Sequence, residues 1–183
     1  MKELAEEIAS CKACRLCEHR RQVVPGEGAL DPPILFVGEG PGEEEDKSGR
    51  PFVGRAGQLL DKMIQAIGLS REHVFIANVV KCRPPQNRTP EAGEIRACLP
   101  FLKRQIELIA PRMICTLGAP ATRTLLPDAT SISRVRGQTR EYDGIPLIPT
   151  YHPAFLLRKP EFKRDAWEDL KKMQALLQRG QPE

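Results

Sequence analysis

The chain has 183 residues, a formal net charge of +4 and 40% hydrophobic residues, which fits one domain with an ordinary core and a mildly basic surface that permits a nucleic-acid partner without requiring one. No apolar run approaches the roughly 20 residues that span a bilayer. The amino-terminal stretch MKELAEEIAS is acidic and amphipathic, unlike a basic leader followed by an apolar segment, so a membrane protein is excluded and a cytoplasmic one expected.

Residues 2–9 predict a short helix with Leu4, Ala5 and Ile8 on one side, leading into Cys11, Cys14 and Cys17. Ile34 to Glu39 reads as a first strand. It runs into a glycine and proline turn (Gly38, Gly40, Pro41, Gly42), an acidic run from Glu43 to Asp46, and Gly49 to Gly54. The whole is a strand, a long glycine-rich loop and a helix, and in open α/β sheets ligands bind just beyond the carboxyl ends of strands. It is not a dinucleotide fingerprint, because Gly38-x-Gly40 lacks a further glycine three residues on. The helix is expected over Arg55 to Ile67, where Leu59, Leu60, Met63, Ile64 and Ile67 recur at three and four residues and Gly68 stops the pattern.

Val74 to Lys81 predicts a second buried strand with one polar residue, Asn78, which must find partners in the protein or in a ligand. Cys82 and the stiff loop RPPQNRTP follow. Thr89 is read as the cap of a helix opened by Pro90, carrying Cys98, kinked at Pro100 and ended by Pro111. Met113 to Gly118 is strand three, Pro120 to Leu126 a short helix, and Ser131 to Arg140 a basic, irregular segment. Leu147 to Tyr151 is strand four, with His152-Pro153-Ala154 at its carboxyl end, and a last helix is expected over Glu161 to Gln178. Strands alternating with helices imply three layers: a central four-stranded parallel sheet flanked by helices, in a single domain over residues 1–183. Three loops then meet at one sheet edge: Gly38 to Phe52, Asn78 to Arg88, and His152 to Arg158.

Six cysteines in an intracellular chain are not expected to form disulfides. Cys115 lies in an apolar strand and reads as core. The remaining thiols form an amino-terminal triplet and the pair Cys82 and Cys98, separated by fifteen residues. Such a set binds zinc or an iron–sulfur cluster, and the wide second pair favours a 4Fe-4S cluster. Cys11-x-x-Cys14-x-x-Cys17 opens like a ferredoxin run, but Arg21 stands where the fourth cysteine belongs.

Taken together, GEGPGEEED, GRPFVG, the Asn78 strand, KCRPPQNRTP and YHPA resemble the family 4, iron–sulfur type of uracil-DNA glycosylase, in that family's motif order over about residues 8 to 160. The resemblance implies excision of uracil from DNA and a 4Fe-4S cluster on Cys11, Cys14, Cys82 and Cys98, with Cys17 outside the usual pattern. An amino-terminal segment of about residues 1–30 would thus complete a cluster site with residues 82–98. It further implies that Gly38, Glu39 and Gly40 line the base with backbone groups, Phe52 stacks on it, Asn78 reads its polar edge and His152 faces the carbonyl near the scissile bond. Glu39 stands where related enzymes carry an acid or amide, and Glu45, in the acidic run, reads either as a group against C5 that helps reject thymine or as part of a solvated face. Glu39 and His152 are the expected catalytic pair, and no lysine nucleophile stands out, so strand cleavage is not expected.

Arg83, Arg88, Arg136 and Arg158 are candidate phosphate contacts, and Leu156 a candidate wedge for the gap left by a flipped nucleotide, with core packing as the competing reading. The expected partner is uracil-containing DNA, single- or double-stranded, bound by a monomer; no feature assigns a protein partner such as a sliding clamp, and His19 and His73 receive no role. Two further readings remain open at this point: an iron–sulfur DNA-binding or electron-transfer module of the same fold, and a relative acting on another deaminated base.

Overall fold

The computed structural model describes residues 1–179. Four parallel strands form the centre of the sheet: β2 (Leu35–Gly38), β3 (Phe75–Asn78), β4 (Ile114–Leu117) and β6 (Ile145–Thr150). Two short antiparallel strands extend it, β1 (Glu27–Gly28) on β3 and β5 (Arg140–Tyr142) on β6, to give the order β1-β3-β2-β4-β6-β5. The sheet is therefore mixed and six-stranded instead of four-stranded, with the expected parallel strands as its core. At the outer edge Asp143 and Gly144, both at positive φ (48° and 81°), make the tight turn from β5 to β6, just beyond the segment read as irregular up to Arg140.

The helices are α1 (Lys2–Ser10), α2 (Glu43–Ser48), α3 (Arg55–Ala66), α4 (Ala92–Ile109), α5 (Ala119–Leu125), α6 (Ile132–Val135), α7 (Pro153–Arg158) and α8 (Lys163–Arg179). Alternation along the strands divides the core into two layers. Leu35, Val37, Phe75 and Ala77 pack with Leu102, Ile106 and Ile109 of α4. Ile34, Phe36, Ile76, Cys115 and Ile148 pack with Leu60, Met63 and Ile64 of α3 and with Leu170 and Met173 of α8. Phe36, Leu60 and Cys115 are fully buried, and each large apolar side chain so covered contributes roughly 1.5–3 kcal/mol.

Two local departures bear on the site. The acidic run is not loop: it is helix α2, ended by Gly49 at φ 72°. And α4 starts at Ala92, not at Pro90, because the Glu94 carboxylate accepts the Glu91 N–H (2.7 Å) and is itself held by Arg88. Helix α4 continues through Pro100.

Candidate active site

Parallel register places Gly38 beside Asn78 at the carboxyl ends of neighbouring strands. The pairing runs on past both strands, since Val79 and Val80 donate their N–H groups to the Gly38 and Glu39 carbonyls (2.9 and 3.1 Å). The glycine-rich loop is thus anchored at its base. A Cβ on Gly38 would lie 2.4 Å from Asn78 Oδ1 and 2.6 Å from Phe52 Cζ, and one on Gly40 would lie 2.7 Å from Val80 Cγ2. Only glycine allows this approach.

A cavity of ≈ 790 Å³ opens here, and its walls include Glu39, Gly40, Glu45, Phe52, Asn78 and His152, with Arg88 and Arg158 among them. All three loops expected to converge contribute. Gly38 stands behind the wall, under Asn78 and Phe52. Tyr151, Ile132 and Asn87 also line it without having been given a role from the sequence, and so does Phe155, from the apolar segment after His152. Asn87 and its neighbour Gln86 both adopt φ 55°, a left-handed pair for which Asn is the better suited residue.

Asn78 is 1% exposed, and its Oδ1 is buried with no hydrogen-bond partner among the described residues. Leaving such an acceptor unpaired costs about 1–3 kcal/mol.

Phe52 also departs from an ordinary conformation, with φ 52°. A non-glycine residue held there stores on the order of 1–3 kcal/mol and persists only where its surroundings over-determine it. One support comes from Glu45. Its carboxylate accepts the Gly42 N–H at 3.1 Å through Oε2, and the Val53 and Gly54 N–H groups at 3.0 and 3.1 Å through Oε1. Glu45 therefore ties the start of α2 to the segment just after Phe52.

His152 caps α7, accepting the Ala154 N–H on Nδ1 at 3.0 Å. With Nδ1 acting as acceptor, the neutral ring carries its proton on Nε2. Burial, aided by the nearby Arg158 charge, pulls its pKa down to about 4. The imidazole is neutral at pH 7 and is a hydrogen-bond donor through Nε2. Glu39 shifts the other way: burial raises its carboxyl above the usual value, against a smaller opposing effect of Thr89.

The candidate phosphate contacts fare unequally. Arg158 is exposed at the cavity. Arg88 lies there too but forms a two-bond pair with Glu94 (2.8 and 2.6 Å). Arg83 donates to Asn87 Oδ1 at 2.8 Å and lies 3.7 Å from Glu43. Arg136 is not a free cation: it is clamped on the fully buried Asp169 (Nε–Oδ2 3.0 Å, Nη2–Oδ1 2.6 Å) and lies over the Tyr151 ring. Removing it from that pair would strand a buried carboxylate, so its role is structural. Leu156 is 1% exposed and packed in the core, and does not stand out as a wedge; Phe155 and Leu157 on either side are partly exposed.

A second cavity is lined by Cys11, Cys14, Cys17, Cys82 and Cys98. Nitrogen donors already point at three of the sulfurs: Ala13 N–H at Cys11 (3.5 Å), Arg20 Nη1 at Cys82 (3.1 Å) and Lys81 N–H at Cys98 (3.3 Å). Among the described residues no group of three or more His, Cys, Asp or Glu side chains is poised to close on a single metal ion. Thiols gathered on one cavity with N–H donors at their sulfurs nevertheless suit a cluster of thiolate ligands. Cys115 is elsewhere, fully buried in the sheet.

The family model described as Uracil DNA glycosylase superfamily matches residues 25–171. A "Type-4 uracil-DNA glycosylase" of Sulfurisphaera tokodaii is 49% identical over 185 residues, covering 96% of this chain and 84% of that protein. One from Thermotoga maritima is 49% identical over 183 residues, covering 98% and 95%. A "Type-5 uracil-DNA glycosylase" of Pyrobaculum aerophilum is 32% identical over 148 residues, covering 72% and 65%.

Proposed function

The chain belongs to the uracil DNA glycosylase superfamily, and from that premise we propose that it hydrolyses the N-glycosidic bond of deoxyuridine in DNA, releasing uracil and leaving an abasic site. The observation that carries the reading is the unpartnered, buried Asn78 Oδ1 on a cavity shared with Phe52 and His152. A base flipped into this cavity loses its stacking, a cost of a few kcal/mol. Phe52 returns stacking on one face. Asn78 accepts from N3–H and donates to O4, the pattern that uracil offers and cytosine reverses.

Cleavage leaves negative charge on the departing uracil and positive charge on the sugar. His152, neutral and protonated on Nε2, donates to the uracil carbonyl as that charge develops, in a site where a fixed donor is worth more than in water. Glu39, whose carboxyl pKa burial raises, holds the attacking water and opposes the positive sugar in its carboxylate form. Gly40 lets the backbone approach the base, and Gly38 makes room behind it for Asn78 and Phe52. Glu45, its carboxylate fixed by three backbone N–H groups, gives the cavity a rigid wall against a C5 methyl group.

Cys11, Cys14, Cys82 and Cys98 hold a 4Fe-4S cluster in this reading, and Cys17 is a spare thiol; the gathered thiols and their N–H donors support it. The cluster when bound supplies a cross-link between the amino-terminal segment and the Cys82 to Cys98 segment, so that residues 1–183 act as one unit. Arg158, with Arg83 and Arg88, meets DNA phosphates. The protein is read as a cytoplasmic monomer; among the described residues no helix is long and apolar enough to cross a membrane.

The test is an excision assay on oligonucleotides carrying one uracil, hypoxanthine or thymine. Release of uracil with thymine left intact is the expected outcome. An intact uracil strand at any protein concentration would instead favour a binding module, and preferential release of hypoxanthine a different base specificity.

A further inference from the structure

The segment that carries Phe52 is gripped from outside the cavity by one side chain. Arg71, in the turn between α3 and β3, donates from Nη1 to the Phe52 carbonyl at 3.1 Å and from Nη2 to the Pro51 carbonyl. The guanidinium is oriented in turn. Its Nε donates to Glu27 Oε1 at 2.8 Å, and Nη1 also reaches Asp61 Oδ1 at 2.9 Å. Glu27 belongs to the edge strand β1 and Asp61 to α3, so one planar group joins the sheet edge, a helix and the loop. On the other side of Phe52, a Cβ at Gly57 would come within 1.8 Å of the Phe52 carbonyl oxygen, so that oxygen is pressed against α3. Arg71 itself is absent from the cavity wall.

We propose that Arg71 is a positioning residue for base recognition: by holding two successive carbonyls it fixes Phe52 in its left-handed conformation and presents the ring to the base. The inference rests on the stacking role given to Phe52 above. A guanidinium is suited to this task because its five donors lie in one rigid plane, whereas an ammonium on a flexible stem cannot hold two carbonyls and two carboxylates in a set geometry. Glu27 is in addition shared with Arg50 (2.9 and 3.0 Å), which keeps the carboxylate in place.

The experiment is a double-mutant cycle on single-turnover excision from an oligonucleotide with one uracil, using Arg71→Lys, Phe52→Ala and the pair together. Arg71→Lys keeps a positive charge between Glu27 and Asp61, and Asp61→Asn, which loosens the guanidinium without removing it, is run alongside in case the lysine variant does not fold. Arg71→Lys is expected to slow excision about tenfold or more, since small misplacements near a reacting centre cost up to ~10². In the Phe52→Ala background the same change should alter the rate by less than about twofold, because residues acting through one another are not additive. Asp61→Asn should show a smaller fall with the same dependence on Phe52. A wild-type rate for Arg71→Lys, or an equal fall in both backgrounds, overturns the proposal while leaving the stacking reading intact. A wild-type rate for Phe52→Ala overturns both.

Discussion

The Phe52 ring lies 5.6 Å from the His152 imidazole, centroid to centroid, with the two planes inclined at 33°. One comes from the glycine-rich loop after β2 and the other from the loop after β6, at opposite sides of β4 in the sheet order. The two rings thus come together at the cavity from two loops. Phe52→Ala should weaken uracil excision without changing which base is preferred, because stacking reads the ring face and not its edge. The check is the ratio of uracil to cytosine excision under single-turnover conditions, and a changed ratio contradicts the assignment.

The protonation state of His152 gives a second prediction. Its folded pKa of about 4 is below the ordinary value near 6.5. Between those values an unfolded chain binds the proton and the folded one does not. The stabilising contribution of the neutral ring is therefore complete above pH 6.5 and is lost as pH falls toward 4. Excision should show no break near pH 6.5, and its acid limb should belong to Glu39, above that group's ordinary 4.5. In Glu39→Gln that limb should disappear and leave a slow, flatter profile. Nitrogen-15 spectra should report the His152 proton on Nε2 at pH 7; a proton on Nδ1 would contradict the hydrogen bond from Ala154.

Glu45 provides a third. Its two oxygens accept three backbone N–H groups, and an amide can replace only one of those oxygens as an acceptor. Glu45→Gln should lose about 1–3 kcal/mol of stability, a shift of roughly 2–4 °C in Tm per kcal/mol for a chain of this size, with thymine still rejected. Glu45→Ala removes the wall as well as the brace and should release thymine detectably. Thymine rejection at the wild-type level in Glu45→Ala would remove Glu45 from the C5 position.

Metal content tests the cysteine assignment. Freshly purified protein should be brown, with about four irons and four sulfides per chain. Cys17→Ala should keep the iron, and Cys82→Ala should lose it. One zinc per chain without visible absorbance would contradict the cluster, and equal behaviour of the two variants would contradict the choice of ligands.

Much of this arrangement was legible in the sequence. The alternating strands and the apolar spacing of α3 are local, short-period signals, and they led to the parallel core and to three loops meeting at one edge. The Asp143-Gly144 pair carries a hairpin signature, but the strand before it, β5, is only three residues long and too short to show a pattern. Other features depend on distant partners that no local pattern reports. Arg136 reads as a surface cation until Asp169 is seen beneath it, 33 residues later. Leu156 reads as wedge or core alike until the turn of α7 carries it inward. Phe52 gives no sign of its left-handed backbone, because Arg71, which holds its carbonyl, comes from the turn before β3, 19 residues later.

The central claim is that Asn78 reads the polar edge of uracil, and the most direct measurement is a single-turnover excision series on uracil and cytosine substrates with wild type and Asn78→Asp. A pocket built around paired hydrogen bonds rejects a mismatched base by roughly 10⁴ to 10⁵. Asn78→Asp puts an acceptor where O4 needs a donor, so uracil excision should fall severely while the margin over cytosine narrows. Wild-type uracil excision in Asn78→Asp would make this asparagine a structural residue at the end of β3 and would contradict the account of the base pocket.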